Sequence, residues 1–315
     1  MRNGPNYKMK DNVFVFDSPY TLLIYCVLYP ENISSTIFIH SDNSALNQLE
    51  FNGKKQVIIK KGKGPLSKFF YYLLFKLRLI FDVNLKLIIK HPDKYNFLGQ
   101  DHLFFSRPFI YDFVLIEDGL ANYQLPKYSK LYEFILGRET FGRSDSVKKI
   151  LLSGMKDIED SKILNKVQYF NLLAKWQDLS QKQRQTVNKI FKFTNKDKIE
   201  AEIIILTQPL SEYGFIEEDQ KISIYRKLIS EYGEENIVIR RHPRETTSYN
   251  EHFPGVQIND SKVPIELIVL NSTEIQRCVT LFSSGIFNLP CKYKDFKGTN
   301  YHPLLIEKFG KINPN

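Results

Sequence analysis

Ile237-Val-Ile-Arg-Arg-His-Pro-Arg-Glu245 is the stretch that decides the fold. Its first three residues form a short β-branched apolar run, which predicts a buried strand. Pro243 cannot donate a hydrogen bond to a sheet and biases the preceding residue away from helix, so His242 should lie at the carboxyl end of that strand. Open α/β sheets bind ligands at this end. The neighbouring arginines suit an anionic ligand, although a solvated basic turn explains them equally well.

The same alternation of short apolar runs and helical stretches extends outward in both directions. Strands are predicted at residues 12–16, 35–40, 56–60, 85–89, 113–116, 203–206, 256–258 and 278–282, and helices at 20–28, 127–136, 146–152, 217–232 and 264–269. Strands that alternate with helices are typical of an α/β fold with a mainly parallel sheet. A polar, lysine-rich passage divides two such patterns. We therefore expect an N-terminal domain at 1–160, a helical passage at 161–198 and a C-terminal domain at 199–315.

Composition limits the classes of partner. The chain has 315 residues, of which 43% are hydrophobic, and this is enough for two domains with cores of their own. With 44 Lys and Arg against 35 Asp and Glu, the net charge of +9 favours an anionic partner: a nucleotide, a nucleic acid or a membrane surface. No RNA-binding module is recognisable, so nucleic acid is not expected. The cysteines show no metal-ligand spacing, and Cys26 and Cys278 are expected to be buried, inert thiols in a reducing compartment.

Two features bear on location. The first eleven residues lack an apolar signal core, and no run is long enough to span a bilayer, so we expect a cytoplasmic protein. Residues 61–80 interleave lysines with leucines and aromatic residues. They predict either a core helix with snorkelling lysines, which is favoured for most of the helix, or an interfacial helix on the inner face of the cell membrane.

Polar residues follow two further strands. Glu117, Asp118 and Gly119 end the strand at 113–116, where adjacent carboxylates would raise one pKa and create a general base, although acidic turns are common. Ser283, Ser284 and Gly285 follow the strand at 278–282. They could present hydroxyls and backbone N–H groups to a phosphate, or they could simply cap a helix.

The order of these signals resembles a known family. The stretches concerned are Gly99-Gln-Asp-His102, Leu115-Ile-Glu-Asp-Gly119, Leu206-Thr-Gln-Pro-Leu-Ser-Glu212, Arg240-Arg-His-Pro-Arg-Glu245 and Phe282-Ser-Ser284. Their acidic-acidic-glycine, His-Pro and serine motifs, in this order, resemble bacterial sialyltransferases, and most closely glycosyltransferase family 52, which includes lipooligosaccharide and capsular sialyltransferases. The resemblance implies a GT-B architecture with two Rossmann-like domains facing a central cleft, the second binding the CMP-sugar. It also implies inverting transfer of sialic acid from CMP-N-acetylneuraminic acid to a terminal β-galactoside, through an α-2,3 linkage, on a capsular polysaccharide or a lipooligosaccharide.

The resemblance also implies roles for single residues. His242 would act on the leaving phosphate as an acid or hydrogen-bond donor, and Asp118 would be the base. Glu212 is the second candidate for the base, although Tyr213 stands where another acid is expected. Substrate contacts are expected from Glu117, Gly119, Gln208, Pro209, Arg241, Pro243, Ser283, Ser284 and Gly285, and no cofactor or metal is expected. A polysialyltransferase, another sugar transferase and a non-catalytic protein that binds membrane or nucleic acid remain alternatives, and a homodimer stays open.

Overall fold

A computed structural model describes residues 10–51, 53–62, 65–125 and 139–313. The chain forms two compact units, Met1–Lys192 and Phe193–Asn315, and the boundary falls within the predicted passage at 161–198. The helix expected at 127–136 lies outside the described residues.

The first unit is built on a seven-stranded sheet in which all neighbouring strands are parallel. Its strands are β1 (Asp11–Phe16), β2 (Ile37–Ser41), β3 (Lys55–Ile59), β4 (Tyr95–Gly99), β5 (Phe113–Ile116), β6 (Val147–Leu152) and β7 (Val167–Tyr169). The order β3-β2-β1-β4-β5-β6-β7 reverses direction between β1 and β4. In doubly wound sheets the ligand crevice lies outside the carboxyl ends of the strands at such a switch point.

The second unit repeats this plan with five parallel strands. They are β8 (Ile203–Leu206), β9 (Ile237–Arg240), β10 (Gln257–Asn259), β11 (Arg277–Thr280) and β12 (Tyr293–Phe296). The order is β10-β9-β8-β11-β12, so the switch point lies between β8 and β11. His242 follows the carboxyl end of β9, as the sequence predicts, and β9 is the neighbour of β8 at the switch.

Helices connect the strands of both sheets. Within the described residues the α-helices are α1 (Pro19–Leu28), α2 (Ser44–Asn47), α3 (Pro65–Phe81), α4 (Val83–Lys90), α5 (Leu172–Asp178), α6 (Gln181–Ile190), α7 (Glu218–Ser230), α8 (Tyr249–His252), α9 (Ile265–Asn271) and α10 (Pro303–Phe309). Strand β1 shows why the sheet is buried on both faces. Val13 and Val15 join one apolar cluster, while Phe14 stacks on Tyr25 at 4.1 Å on the other side. This alternation follows the two-residue period of a strand.

Two predicted elements are wrong in type. Residues 85–89 belong to helix α4, because Asp82 caps its first turn by accepting hydrogen bonds from the backbone of Asn84 and Leu85. Residues 146–152, predicted as a helix, contain strand β6, which pairs with β5. Both stretches are short apolar runs, in which the periodicity does not distinguish a helix from a strand.

The core position favoured for residues 61–80 is also wrong. This stretch forms most of α3, and Phe75 is the one buried side chain among those that the structure describes there. Leu66, Phe69 and Ile80 are 88%, 62% and 57% exposed. The alternative of an interfacial helix is taken up below.

Of the two cysteines expected to be free thiols, one is free and the other is in a disulfide. Cys26 is a buried free thiol, as predicted. Cys278 is not an unpaired thiol, because it forms a disulfide with Cys291 across a Cα–Cα distance of 6.2 Å. The two cysteines are 13 residues apart in the sequence, and the segment between them contains Ser283, Ser284 and Gly285.

Candidate active site

Gln100 spans the switch point of the first sheet. Its backbone N–H donates to the carbonyl of Val15 at 2.8 Å, and its side-chain oxygen accepts from the backbone of Asp17 at 2.6 Å. The preceding residue, Gly99, has a φ of +128°, and a Cβ there would lie 1.9 Å from the oxygen of Val15. Only glycine lets β4 pass β1 this closely. The carboxyl ends of the two strands are thereby joined.

Asp118 lies beside this joint, at the carboxyl end of β5. Its Oδ1 accepts hydrogen bonds from the hydroxyls of Ser18 at 2.8 Å and Thr21 at 3.2 Å. Its Oδ2 lies 3.6 Å from Nε2 of His102. Ser18 also caps helix α1, so the start of α1 fixes the carboxylate. The Asp118 side chain is 24% exposed and therefore accessible.

Burial sets the basicity of Asp118. Loss of water raises its pKa above the ordinary value of 3.8, and the His102 ring and the two hydroxyls offset only part of that increase. The neighbouring charge that adds to the increase is Asp17, not Glu117 as the sequence suggested. A raised pKa suits a general base. His102 belongs to the Gly99–His102 motif, yet sequence reasoning gave it no role.

Glu117 points into the first unit. Its oxygens accept hydrogen bonds from the hydroxyls of Tyr20 at 2.7 Å and Tyr123 at 2.5 Å, and from the backbone N–H of Ser153 at 2.6 Å. The residue is 0% exposed, and burial raises its pKa. Glu117 therefore fastens β5 to its surroundings, and the predicted substrate contact has no support in this geometry. Gly119, with a φ of +131°, turns the chain after Asp118.

Gln208 joins the segments that follow two neighbouring strands of the second sheet, as Gln100 does in the first. It follows β8, and its side-chain oxygen accepts from the backbone N–H of Phe282, which follows β11, at 3.1 Å. Its own N–H donates to the hydroxyl of Tyr225 at 2.9 Å. Pro209 beside it is buried. The contacts of Gln208 join the loops that follow β8 and β11 at the switch point.

His242 lies in the turn that follows β9. Its backbone N–H donates to Glu245 Oε2 at 2.6 Å, and the N–H of Glu245 donates back to the His242 carbonyl at 2.9 Å. The ring Nδ1 accepts from the N–H of Arg244 at 3.2 Å. The neutral ring must then carry its proton on Nε2. Pro243 is exposed in this turn.

The surroundings of His242 favour this neutral form. Burial lowers the pKa of the ring below 6.5, and the positive charges of Arg244 and Lys221 lower it further, against the opposite influence of Glu245 and Glu212. Near neutral pH the imidazole is therefore a neutral donor through Nε2.

Each of the three arginines of this stretch is already held by a partner of its own. Arg240 donates to Asn259 at 2.5 Å and to the carbonyl of Val263 at 3.0 Å. The other two also have partners. Arg241 pairs with Asp260 at 2.9 Å, and Arg244 donates to the hydroxyl of Tyr213 at 2.5 Å.

A buried lysine supports the His-Pro turn. Lys221 on α7 is 0% exposed, and its Nζ lies 2.9 Å from both Glu212 and Glu245 and 2.7 Å from the hydroxyl of Thr247. Glu245 also accepts from Thr207 at 2.5 Å. Sequence reasoning missed Lys221, although a lysine one turn before Tyr225, on the apolar face of an amphipathic helix, was a usable signal.

Glu212 is held by this cluster. Burial alone would raise its pKa, but hydrogen bonds from Lys221 and from the backbone of Thr246 lower the pKa to about 2. Its oxygens lie 2.9 Å and 3.0 Å from the ammonium of Lys221. A carboxylate so stabilised in its charged form is a weak proton acceptor.

The serine motif starts a short 3-10 helix, Ser284–Asn288, after β11. The hydroxyl of Ser283 accepts from the N–H of Gly285 at 3.4 Å, which is the cap expected in the simpler interpretation. The N–H of Ser283 donates to Thr280 at 3.2 Å. Ser284 is exposed at the carboxyl end of the strand. Its hydroxyl is therefore accessible to a ligand at the switch point.

Comparison with solved structures identifies the fold. The structure is similar to that of an α/β-galactoside α-2,3-sialyltransferase from Photobacterium phosphoreum, with a TM-score of 0.50 and 14% identity over 90% of this chain and 88% of that one. A sialyltransferase from Photobacterium damselae gives 0.53 and 13%, covering 90% of each chain. A UDP-GlcNAc 2-epimerase from Methanocaldococcus jannaschii gives 0.50 and 12%, over 96% and 93%. At these identities the likeness shows the shared fold alone, which is GT-B with Rossmann-like domains.

Sequence comparison identifies the family. An uncharacterized protein of Haemophilus influenzae is 35% identical over 221 residues, which are 68% of this chain and 72% of that protein. The model of glycosyltransferase family 52 matches residues 36–305. The match includes the acidic motif, the His-Pro turn and the serine motif described above. The chain therefore belongs to glycosyltransferase family 52.

Proposed function

We propose that this glycosyltransferase is an inverting sialyltransferase, which moves sialic acid from CMP-N-acetylneuraminic acid to a terminal β-galactoside in α-2,3 linkage. The observation that carries the proposal is the His-Pro turn, which presents a neutral Nε2–H donor next to a switch point. Membership in family 52 supports the transfer reaction. The name of the similar Photobacterium phosphoreum enzyme supports the acceptor and the linkage.

The reaction proposed is a single displacement. The acceptor hydroxyl oxygen bonds to the anomeric carbon of sialic acid while the bond from that carbon to the phosphate oxygen breaks. CMP leaves with the bonding electron pair, and the hydroxyl proton passes to a carboxylate. Negative charge grows on the phosphate, so hydrogen-bond donors placed there lower the barrier. His242 donates through Nε2, and Ser283 and Ser284 donate through their hydroxyls to the same phosphate.

The base proposed is Asp118. By analogy with inverting hydrolysis, a carboxylate takes the proton of the attacking group. Burial raises the pKa of Asp118. In contrast, the hydrogen bonds that Glu212 accepts lower the pKa of Glu212 to about 2. The higher pKa makes Asp118 the better proton acceptor, and its side chain is also accessible. Glu212 is then a positioning residue of the His-Pro turn.

The proposed reaction needs no cofactor or metal. Its acceptor is a galactose-terminated glycan, for which a capsular polysaccharide or a lipooligosaccharide on the cytoplasmic side is the natural candidate. Gly119 lies in the turn after β5, and Arg241 and Pro243 lie in the turn after β9; we propose these turns as substrate-contacting loops of their respective units.

A donor and acceptor panel tests the proposal. The purified protein is incubated with one donor: CMP-sialic acid, UDP-galactose or UDP-GlcNAc. Each donor is combined with one acceptor: lactose, another β-galactoside or a sialylated galactoside. Nucleotide release and product mass are measured. We expect CMP release that depends on lactose or the β-galactoside, and a product cleaved by an α-2,3-specific sialidase. If only the UDP-sugars are turned over, CMP-sialic acid is not the donor. If transfer occurs only to the sialylated acceptor, the protein is a polysialyltransferase instead.

A further inference from the structure

Helix α3 exposes an unusually large apolar surface. The side chains of Leu66, Phe69, Phe70, Leu73, Leu74, Leu77, Ile80 and Phe81 are each between 41% and 88% exposed. Single residues or adjacent pairs of this set recur every three or four residues, so the set forms one stripe along the helix. Contiguous apolar patches of this kind are rare on proteins without a partner.

The stripe continues onto the next helix. Val83 and Leu87 of α4 are 66% and 47% exposed, while Leu85 and Ile88 of the same helix are buried. Helix α4 therefore has one face in the core of the first unit and another in solvent. We call the exposed apolar residues of α3, together with Val83 and Leu87, the apolar face.

Basic residues accompany the apolar face. Residues 60–94 contain nine Lys or Arg, at 60, 61, 63, 68, 76, 78, 86, 90 and 94, against two Asp, at 82 and 93. The local charge is thus +7 within a chain of net charge +9. Lys86 and Lys90 are exposed on α4, and Lys76 lies 5.4 Å from the ring of Tyr72 on α3. A strongly apolar stripe with a basic border is the pattern of helices that lie in a membrane interface.

We infer that the apolar face docks this glycosyltransferase on the surface of an anionic phospholipid bilayer. Leucine and phenylalanine side chains enter the boundary between headgroups and acyl chains, and the lysines meet the phosphates. Among the described residues, no helix is long and apolar enough to cross a membrane. The apolar stripe runs along α3, so the helix would lie in the plane of the interface.

The positive charge of residues 60–94 also argues against a second copy of the chain as the partner that covers the apolar face. Two copies that meet through the same face would bring two segments of charge +7 together. Such like charges repel at close range, whereas an anionic surface attracts both. The inference is independent of the donor sugar.

Vesicle co-sedimentation of the full chain tests the inference. The vesicles contain phosphatidylcholine alone or an equal mixture of phosphatidylcholine and phosphatidylglycerol. We expect binding to the anionic vesicles only, weakening with salt. Leu73→Ser/Leu77→Ser should lower the partition coefficient at least about tenfold, because apolar area is lost from the interface. Lys86→Gln/Lys90→Gln should lower it about fivefold per lysine removed.

Matched controls separate the face from general surface effects. Leu125→Ser/Leu164→Ser changes two leucines that are 56% and 51% exposed elsewhere in the first unit. Lys182→Gln/Lys189→Gln changes two exposed lysines of α6. Both control proteins should bind vesicles like the wild type, and all variants should share its thermal unfolding midpoint.

Three results would overturn the inference. One is a wild-type protein that stays in the supernatant with anionic vesicles. Another is a Leu73→Ser/Leu77→Ser protein that binds as well as the wild type. The third comes from light scattering: a wild-type dimer that this variant converts to a monomer would show that a second copy covers the apolar face.

Discussion

At the scale of single residues, the two candidate bases differ because their surroundings differ. Asp118 is held by two hydroxyl groups and a histidine, and burial raises its pKa. Glu212 is paired with a fully buried ammonium group. The sequence placed both carboxylates at strand ends, but it did not show which of them has a cationic partner. Lys221 is 9 residues from Glu212 and on another element, so only the fold brings them together.

Replacing each carboxylate by its amide tests the assignment. We expect Asp118→Asn to lower galactoside transfer roughly 10²–10⁴-fold, the range for general bases, with little change in CMP affinity. Glu212→Gln should keep more of the transfer activity. In the wild type, transfer should fall as the pH drops through the raised pKa of Asp118, because protonation removes the base. If Glu212→Gln abolishes transfer while Asp118→Asn preserves it, the second unit supplies the base.

The role of His242 can be separated from its contribution to the fold. His242→Ala removes the Nε2–H donor, and transfer should fall roughly 10²–10⁴-fold. His242→Asn offers an amide N–H near the same place and should recover part of that loss. Both variants keep the backbone N–H that binds Glu245. Normal turnover by a folded His242→Ala protein would contradict the role.

Lys221 is expected to matter for stability first. Lys221→Met leaves the partly buried carboxylate of Glu212 and the buried one of Glu245 without their ammonium partner, and breaking such a buried pair costs about 3–5 kcal/mol. Lys227→Met, an exposed lysine on the same helix, is the control and should change stability little. Denaturant unfolding of both proteins measures the difference. Equal stability of the two variants would show that the cluster does not support the second unit.

At the scale of elements, burial decided which predictions succeeded. Strands such as β1, β8 and β9 are continuous apolar runs, because a parallel sheet covered on both faces needs them. Strand β4 was missed because Asn96 and Gly99 dilute its apolar pattern. The apolar run at 85–89 predicts a strand, although the cap at Asp82 starts a helix there. Local signals identified the central strands well and the peripheral elements poorly.

Gly99 tests how tightly the first switch point is packed. In Gly99→Ala the new Cβ would lie 1.9 Å from the Val15 oxygen at a φ of +128°, so we expect a loss of more than about 2 kcal/mol in unfolding free energy. Gly154→Ala is the control in the same unit. It has a φ of +80° and an ordinary contact of 3.6 Å with Tyr169, and should cost about 1–2 kcal/mol. Equal losses would mean that β1 and β4 can separate without penalty.

At the scale of the whole molecule, the chain uses one plan twice. Each unit has a parallel sheet with one switch point, and in each a glutamine side chain joins the loops that follow the two central strands. The order of motifs along the sequence was enough to predict this plan and the family. The sequence did not reveal that Arg240, Arg241 and Arg244 are held by neighbours, since their side-chain partners come from other segments of the chain.

The last prediction concerns the metal dependence of the proposed transfer reaction. Departure of CMP requires that charge on its phosphate be neutralised, and the proposal assigns this to His242, Ser283 and Ser284 instead of a divalent cation. Within the part of the chain that the structure describes, no three His, Cys, Asp or Glu side chains are grouped to hold a metal ion. From the assignment of His242 and the serines to the phosphate, we expect the initial rate of galactoside sialylation to be the same in excess EDTA as in Mg²⁺. A metal-dependent glycosyltransferase assayed in the same buffers confirms that chelation is complete. Loss of transfer in EDTA, restored by Mg²⁺ or Mn²⁺, would show that a cation binds the leaving phosphate, and His242 would then need another role.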